Sequence, residues 1–181
     1  KVKPPTFITG RIMLSFKQYL IESTGGNYVS LDVDDPEIAI DLKSGTVVPP
    51  GKHHVTLMYS EGTDVPKDKI KKVIEWMTGS RTAKSHSVDV FDSDDDPTKG
   101  CIVLDIDSDH LHNIHEELRR IGLRHSYQEF KPHVTLSYGV DIDEAKRIAK
   151  ELNAKLKMEP CLITMKGLVV KPMKDNWSDE L

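Results

Sequence analysis

The sequence predicts an α+β protein of two similar halves, with mainly antiparallel sheets around a central groove and helices on the outside. Three observations predict it. The pattern HVTLxY occurs twice, at His54–Tyr59 and at His133–Tyr138. Each copy opens a segment of strand character. Around the copies, apolar spacing switches between a period of two and one of 3.6, giving the order strand, helix, HVTL strand, helix, strand, strand, helix, HVTL strand, helix, strand.

Residues 1–12, KVKPPTFITGRI, hold Pro4, Pro5 and Gly10, follow neither period and precede Met13; they read as an extension, with residues 13–181 as a single domain. NYVSLDV alternates, with Val29, Leu31 and Val33 on one face and Tyr28, Ser30 and Asp32 on the other, as in a half-buried strand. A short helix is expected over Pro36 to Lys43, ended by Gly45. The VVPPG loop follows, where two prolines exclude regular structure.

After the first HVTL strand, Ile70, Val73, Ile74 and Met77 fall at i, i+3, i+4 and i+7, between Pro66 and Gly79, and predict an amphipathic helix. SHSVDVFD and GCIVLDID predict two strands joined by the acidic turn SDDDPTKG. Leu111, Ile114, Leu118 and Ile121 form the stripe of a second helix ending near Gly122; Ala145, Ile148, Ala149 and Leu152 form that of a third. CLITMKGLVV closes the pattern as a strand.

The chain has 181 residues, 38% hydrophobic and 30% charged, with a formal charge of −4 and charges well mixed, so neither a membrane span nor a broad basic face is expected. A nucleotide ligand should therefore be small, with no long nucleic acid as partner. Cys101 and Cys161 are too few for a disulfide framework and predict a reducing, cytoplasmic setting. No signal peptide is read at the start. The SDEL ending and the sequon Asn176-Trp177-Ser178 then read as accidental.

Residues two apart on a strand share a face, so His54 goes with Thr56 and His133 with Thr135, while Val55, Leu57, Tyr59, Val134, Leu136 and Tyr138 should point to the core. A pseudo-twofold would converge two imidazoles and two hydroxyls on a pocket of phosphodiester size. Cleaving a phosphodiester takes a base for the attacking oxygen and an acid for the leaving oxygen. Two histidines serve for both, and the threonine hydroxyls can donate to the non-bridging oxygens.

KHHVTLMY and KPHVTLSYG match the paired H-x-[ST]-x signature of the two-histidine (2H) phosphoesterase superfamily, whose duplicated fold resembles the element order from Tyr28 to Val170. Within it, MLSFKQYLIESTGGNYV, VVPPGKHHVTLMYS and the compact length look like the phage anti-CBASS nucleases, which degrade cyclic di- and trinucleotide immune signals. The resemblance implies cleavage of a 3'–5' bond without metal or cofactor, by His54, Thr56, His133 and Thr135. Other readings stay open. The same site would serve a 2',3'-cyclic phosphodiesterase or a 2',5'-oligonucleotide hydrolase of RNA metabolism, and a sequestering module would bind a cyclic nucleotide without cutting it.

Three further residues are candidates for substrate binding. Tyr28 reads either as a ring that stacks on a base or as a surface tyrosine. Trp76 either flanks the core or covers the groove. Lys131, two before His133, either neutralises phosphate or is an ordinary surface lysine. Trp177 reads as a lid or a disordered tail. His110, His112 and His115 make no complete metal set on a helix, and Asp92, Asp94, Asp95 and Asp96 lack the spacing of a calcium loop. His53 and His125 read as surface or loop residues.

Overall fold

The structure is a computed structural model that describes residues 26–76, 81–93, 95–127 and 129–172. The extension over 1–12, the helix residues Met77 and Gly79, Asp94, Trp177, the sequon and the SDEL ending lie outside the described residues, as does the side chain of Trp76.

In chain order the elements are β1 (Gly26–Val33), β2 (Thr46–Val47), β3 (His54–Glu61), α1 (Lys67–Trp76), β4 (Thr82–Asp92), β5 (Lys99–Asp107), α2 (Asp109–Arg120), β6 (His133–Asp141), α3 (Ile142–Leu156) and β7 (Cys161–Pro172). All strand pairings are antiparallel. Instead of separate sheets there is one, ordered β2-β6-β3-β1-β7-β4-β5, and β5 pairs again with β6. The pairings thus run β1-β3-β6-β5-β4-β7 and back to β1. Such a closed circuit leaves none of these six strands with a free edge along its whole length, which removes a template for aggregation.

Closure explains why β1 departs from the expected half-buried strand. Flanked by β3 and β7, it is buried from Gly26 to Leu31 on both faces, and only Asp32 is exposed. The helices cover one face of the sheet. Ile70 of α1, Leu111, Ile114 and Leu118 of α2, and Ala145, Ile148, Ala149, Leu152 and Leu156 of α3 join Val29, Leu31, Val55, Leu57, Ile102, Leu104, Val134 and Ile163 in one hydrophobic cluster. A fully buried leucine or isoleucine contributes roughly 1.5–3 kcal/mol, so the predicted stripes hold the helices to the strands.

Local chemistry sets the helix ends. Pro66 precedes α1, and its carbonyl accepts from the amides of Lys69 and Ile70. The Ser108 hydroxyl caps α2 by accepting from Leu111 N, while Arg119 and Arg120 lie at its negative end. On α3, the Asn153 amide accepts from Val88 N at 2.7 Å and donates to Val88 O at 2.8 Å, acting as a strand partner where the β4–β7 pairing has ended.

The helix expected over 36–43 is absent. The segment is irregular, with Ile38, Ile40 and Leu42 partly buried against the core between exposed Glu37, Ala39, Asp41 and Lys43. That alternation is a period of two, and core burial prevails over the helical start suggested by Pro36. Nor is the following loop wholly irregular, since Thr46–Val47 pairs with β6. Gly45 (φ +75°) makes this approach possible: a Cβ there would lie 2.5 Å from Tyr138 O.

Candidate active site

The two motif strands are neighbours, with Val55 directly opposite Val134. An antiparallel pair in this register sets His54 across from Thr135 and Thr56 across from His133. Cross-strand neighbours are about 5 Å apart and i, i+2 residues about 7 Å apart. The two His-Thr pairs therefore form a compact polar patch related by a pseudo-twofold between the valines. Val55 and Val134 are fully buried beneath it.

Each motif also carries a β-bulge at its leucine. Met58 is opposite Val29 but Thr56 is opposite Ser30, so Leu57 is the extra residue; Ser137 is opposite Ile102 but Thr135 opposite Val103, so Leu136 is extra. A bulge resets the alternation of side chains. Leu57 and Met58 both point inward, as do Leu136 and Ser137, and all four are buried. Tyr59 is buried, as expected, but on the face of Tyr28, whereas Tyr138 is exposed, contrary to the expectation from strict alternation. Tyr59 pairs directly with Tyr28, ring edge to face with centroids 6.3 Å apart. Tyr138 is 36% exposed.

The two histidines are held alike. Nδ1 of His54 lies 3.1 Å from Lys52 O, and Nδ1 of His133 lies 2.7 Å from Lys131 O. A carbonyl only accepts, so Nδ1 carries the proton and Nε2 is left to exchange one with a substrate. Each histidine also has an aspartate opposite it on the outer neighbouring strand, Asp32 for His54 and Asp105 for His133.

Their surroundings differ. Phe91 meets His133 edge to face at 4.8 Å, and burial lowers the pKa of His133 below the ordinary histidine value, partly opposed by the Lys131 carbonyl and the Asp105 charge. Burial raises the Asp105 pKa, while a 2.9 Å bond from Ser87 Oγ favours its charged form. On the other side, Tyr28 lies edge to face with His54 at 6.3 Å, and its hydroxyl is 2.9 Å from Thr56 Oγ1. Burial raises the Tyr28 pKa, so the phenol stays neutral at physiological pH.

Tyr28 is thus no surface residue: it is 8% exposed and supports Thr56. Lys131 meets the site through its carbonyl, whereas its side chain is 61% exposed and its ammonium lies 3.5 Å from Glu129. Trp76 is the last residue of α1. His53 and His125 are also structural rather than superficial. His53 is buried and bonded to Asp35 at 2.8 Å, and Asp35 also accepts from Gly51 N, which anchors the loop leading into β3. His125 forms a bridge with Ser60 of β3, and burial lowers its pKa to about 4. Among the described residues no group of three or more His, Cys, Asp or Glu is arranged to hold a metal ion, and no helix is long and apolar enough to cross a membrane.

Fold and site define an α+β protein in which two neighbouring strands of one antiparallel sheet each contribute one His-Thr pair to a shared face. The family described as Anti-CBASS protein Acb1 matches residues 28–180, and the chain belongs to that family. Similar relatives are the anti-CBASS proteins Acb1 of Yersinia phage phiR1-RT, 30% identical over 85% of this chain and 89% of the relative, and of Salmonella phage S16, 29% identical over 93% and 99%. That of Enterobacteria phage T4 is 31% identical over 71% of this chain and 79% of its own. A solved structure of Kluyveromyces marxianus Usb1 aligns over 81% of this chain and 97% of its own at 8% identity, with a TM-score of 0.40, too slight a likeness to carry an argument.

Proposed function

We propose that the chain is a phosphodiesterase that opens 3'–5' bonds of cyclic di- and trinucleotide immune signals and thereby counteracts CBASS defence, with His54 and His133 as its acid–base pair. The observation that carries this reading is the Val55–Val134 pairing, which joins two histidines of the same Nδ1–H tautomer across a pseudo-twofold. The relatives' shared name, anti-CBASS protein, supports the choice of substrate.

His133, whose pKa is lowered by burial, is suited to start neutral as the base, which leaves His54 as the acid. His133 Nε2 takes the proton of a ribose 2'-hydroxyl, the O2'–P bond forms, the P–O5' bond breaks, and His54 Nε2 gives its proton to O5'. The products are a linear nucleotide with a 2',3'-cyclic phosphate and a free 5'-hydroxyl. Using the adjacent hydroxyl exploits proximity, which can replace much of the activation that water would need. Thr56 and Thr135 donate to the non-bridging oxygens as negative charge grows there. The Tyr28 hydroxyl, 2.9 Å from Thr56 Oγ1, can donate to it and so leave the threonine proton for the phosphate.

The test is to offer the purified protein, with EDTA present, cyclic di- and triribonucleotides, their 2'-deoxy counterparts, linear 2',5'-oligoadenylate and 2',3'-cyclic mononucleotides, and to follow products by chromatography. Opening of the cyclic ribo-oligonucleotides alone, through a 2',3'-cyclic phosphate product, is expected. Preference for either of the last two substrates would move the enzyme to RNA metabolism, binding without turnover would make it a sequestering module, and deoxy rings opened at a comparable rate would make water the nucleophile.

A further inference from the structure

The bulge at Leu57 sets the buried Tyr59 on the face of Tyr28, behind the His54–Thr56 pair, and a bulge leaves the extra residue's backbone without its ladder partner. In β6 the Leu136 carbonyl accepts from Val48 N at 2.9 Å, just beyond β2. In β3 the Leu57 carbonyl is instead met by a side chain: His115 Nδ1, from the buried face of α2, lies 2.7 Å away. We infer that His115 is a positioning residue for the first His-Thr pair, its Nδ1–H holding the Leu57 carbonyl and so fixing the bulge that aims Thr56 and Tyr59. The inference rests on the catalytic reading for its effect on rate, but its structural content stands apart from it.

Three observations converge here. His115 is only 4% exposed in a helix stripe otherwise made of Leu111, Ile114 and Leu118, a costly place for an imidazole unless it has a partner. Its ring stacks on Phe130 with centroids 4.1 Å apart and planes 5° apart, and meets His125 edge to face at 4.7 Å, so its rotation is fixed on two sides. The segment after α2 continues the clamp along the same stretch of β3: Arg124 N donates to Ser60 Oγ, and both Ser126 N and Ser126 Oγ donate to Tyr59 O. A carbonyl can only accept, so the His115 tautomer is set with the proton on Nδ1. Burial also lowers its pKa, in keeping with a neutral ring.

The experiment compares H115N, H115Q and H115F in the full chain. Asparagine puts an amide donor where Nδ1 was, glutamine displaces it, and phenylalanine keeps the ring against Phe130 but has no donor. On the cyclic ribonucleotide, kcat should fall about 10–100-fold in H115F with KM little changed, because small misplacements near the chemistry are costly in rate. H115Q should be intermediate, and H115N should recover to within roughly threefold of the starting protein. Equal rates in H115N and H115F, or an unchanged kcat in H115F, would overturn the inference. Should H115F not fold, the contrast between H115N and H115Q decides it in the same way. Crystal structures of the variants and the ¹⁵N spectrum of His115 separate this from the function: a protein that cleaves nothing would sink the catalytic reading alone. A Tyr59 still packed edge to face on Tyr28 in the variant without a well-placed donor, or an Nε2–H tautomer at His115, would sink the positioning role whatever the activity.

Discussion

The two HVTL copies are nearly the same in backbone and unlike in surroundings. Both open a strand, both bulge at the leucine, both histidines bond through Nδ1 to the carbonyl two residues back, and both face an aspartate on the outer strand. Yet His54 has Tyr28 as its aromatic neighbour and a bulge clamped by His115, whereas His133 has Phe91 and a bulge clamped by a backbone amide. The repeated motif supplies two similarly held imidazoles, and in the proposed reaction the unlike shells around them distinguish the base from the acid. Two identical environments would leave both rings neutral or both charged at a given pH, and only one of the two proton transfers would be ready.

The severest way to break this comparison is to delete one ring at a time. His54→Ala and His133→Ala should each lower kcat by about 10²–10⁴-fold while substrate binding, followed by calorimetry, changes little. Near-normal turnover by either variant would show that only one copy works.

A smaller effect sharpens the asymmetry. The rate should follow a bell in pH, and its acidic limb should lie below the ordinary histidine value of 6.5, because burial lowers the pKa of His133 and keeps the base neutral to lower pH. Asp105 raises that pKa, so D105N should lower it further and carry the acidic limb to still lower pH. F91A admits water beside the ring, relieves the desolvation and should move the limb upward. Both limbs belong to the coupled pair, so the direction of each shift in the pH–rate profile is the quantity to compare. Shifts of the alkaline limb alone would exchange the roles of the two histidines.

What the sequence made legible follows from periodicity. The stripes of α2 and α3, that of α1 as far as Ile74, and the β4–β5 hairpin are local patterns, and the structure bears them out. So is the repeat that marks the candidate site. The bulges are not legible, because a leucine that is an extra residue suits the core as well as one that alternates; without them Tyr59 and Tyr138 read as sharing the faces of Val55 and Val134. The 36–43 segment carries a proline suited to a helix start, while its extended course is set by Ile38, Ile40 and Leu42 meeting a core built from distant strands. From sequence His115 reads only as part of an incomplete metal set, because its partner, the Leu57 carbonyl, is 58 residues away. Closure of the sheet depends on the β4–β7 and β5–β6 pairings, which join the halves only in the folded chain.

The central claim, that His133 takes the proton and His54 gives it, is tested most directly with a cyclic dinucleotide whose scissile 5'-bridging oxygens are replaced by sulfur. A thiolate leaves without protonation, so the acid becomes dispensable and the base does not. His54→Ala should open the sulfur-bridged ring at a rate approaching that of the unsubstituted protein, as read by thiol release, and His133→Ala should stay inactive. Rescue of His133→Ala instead, or of neither variant, would contradict the assignment.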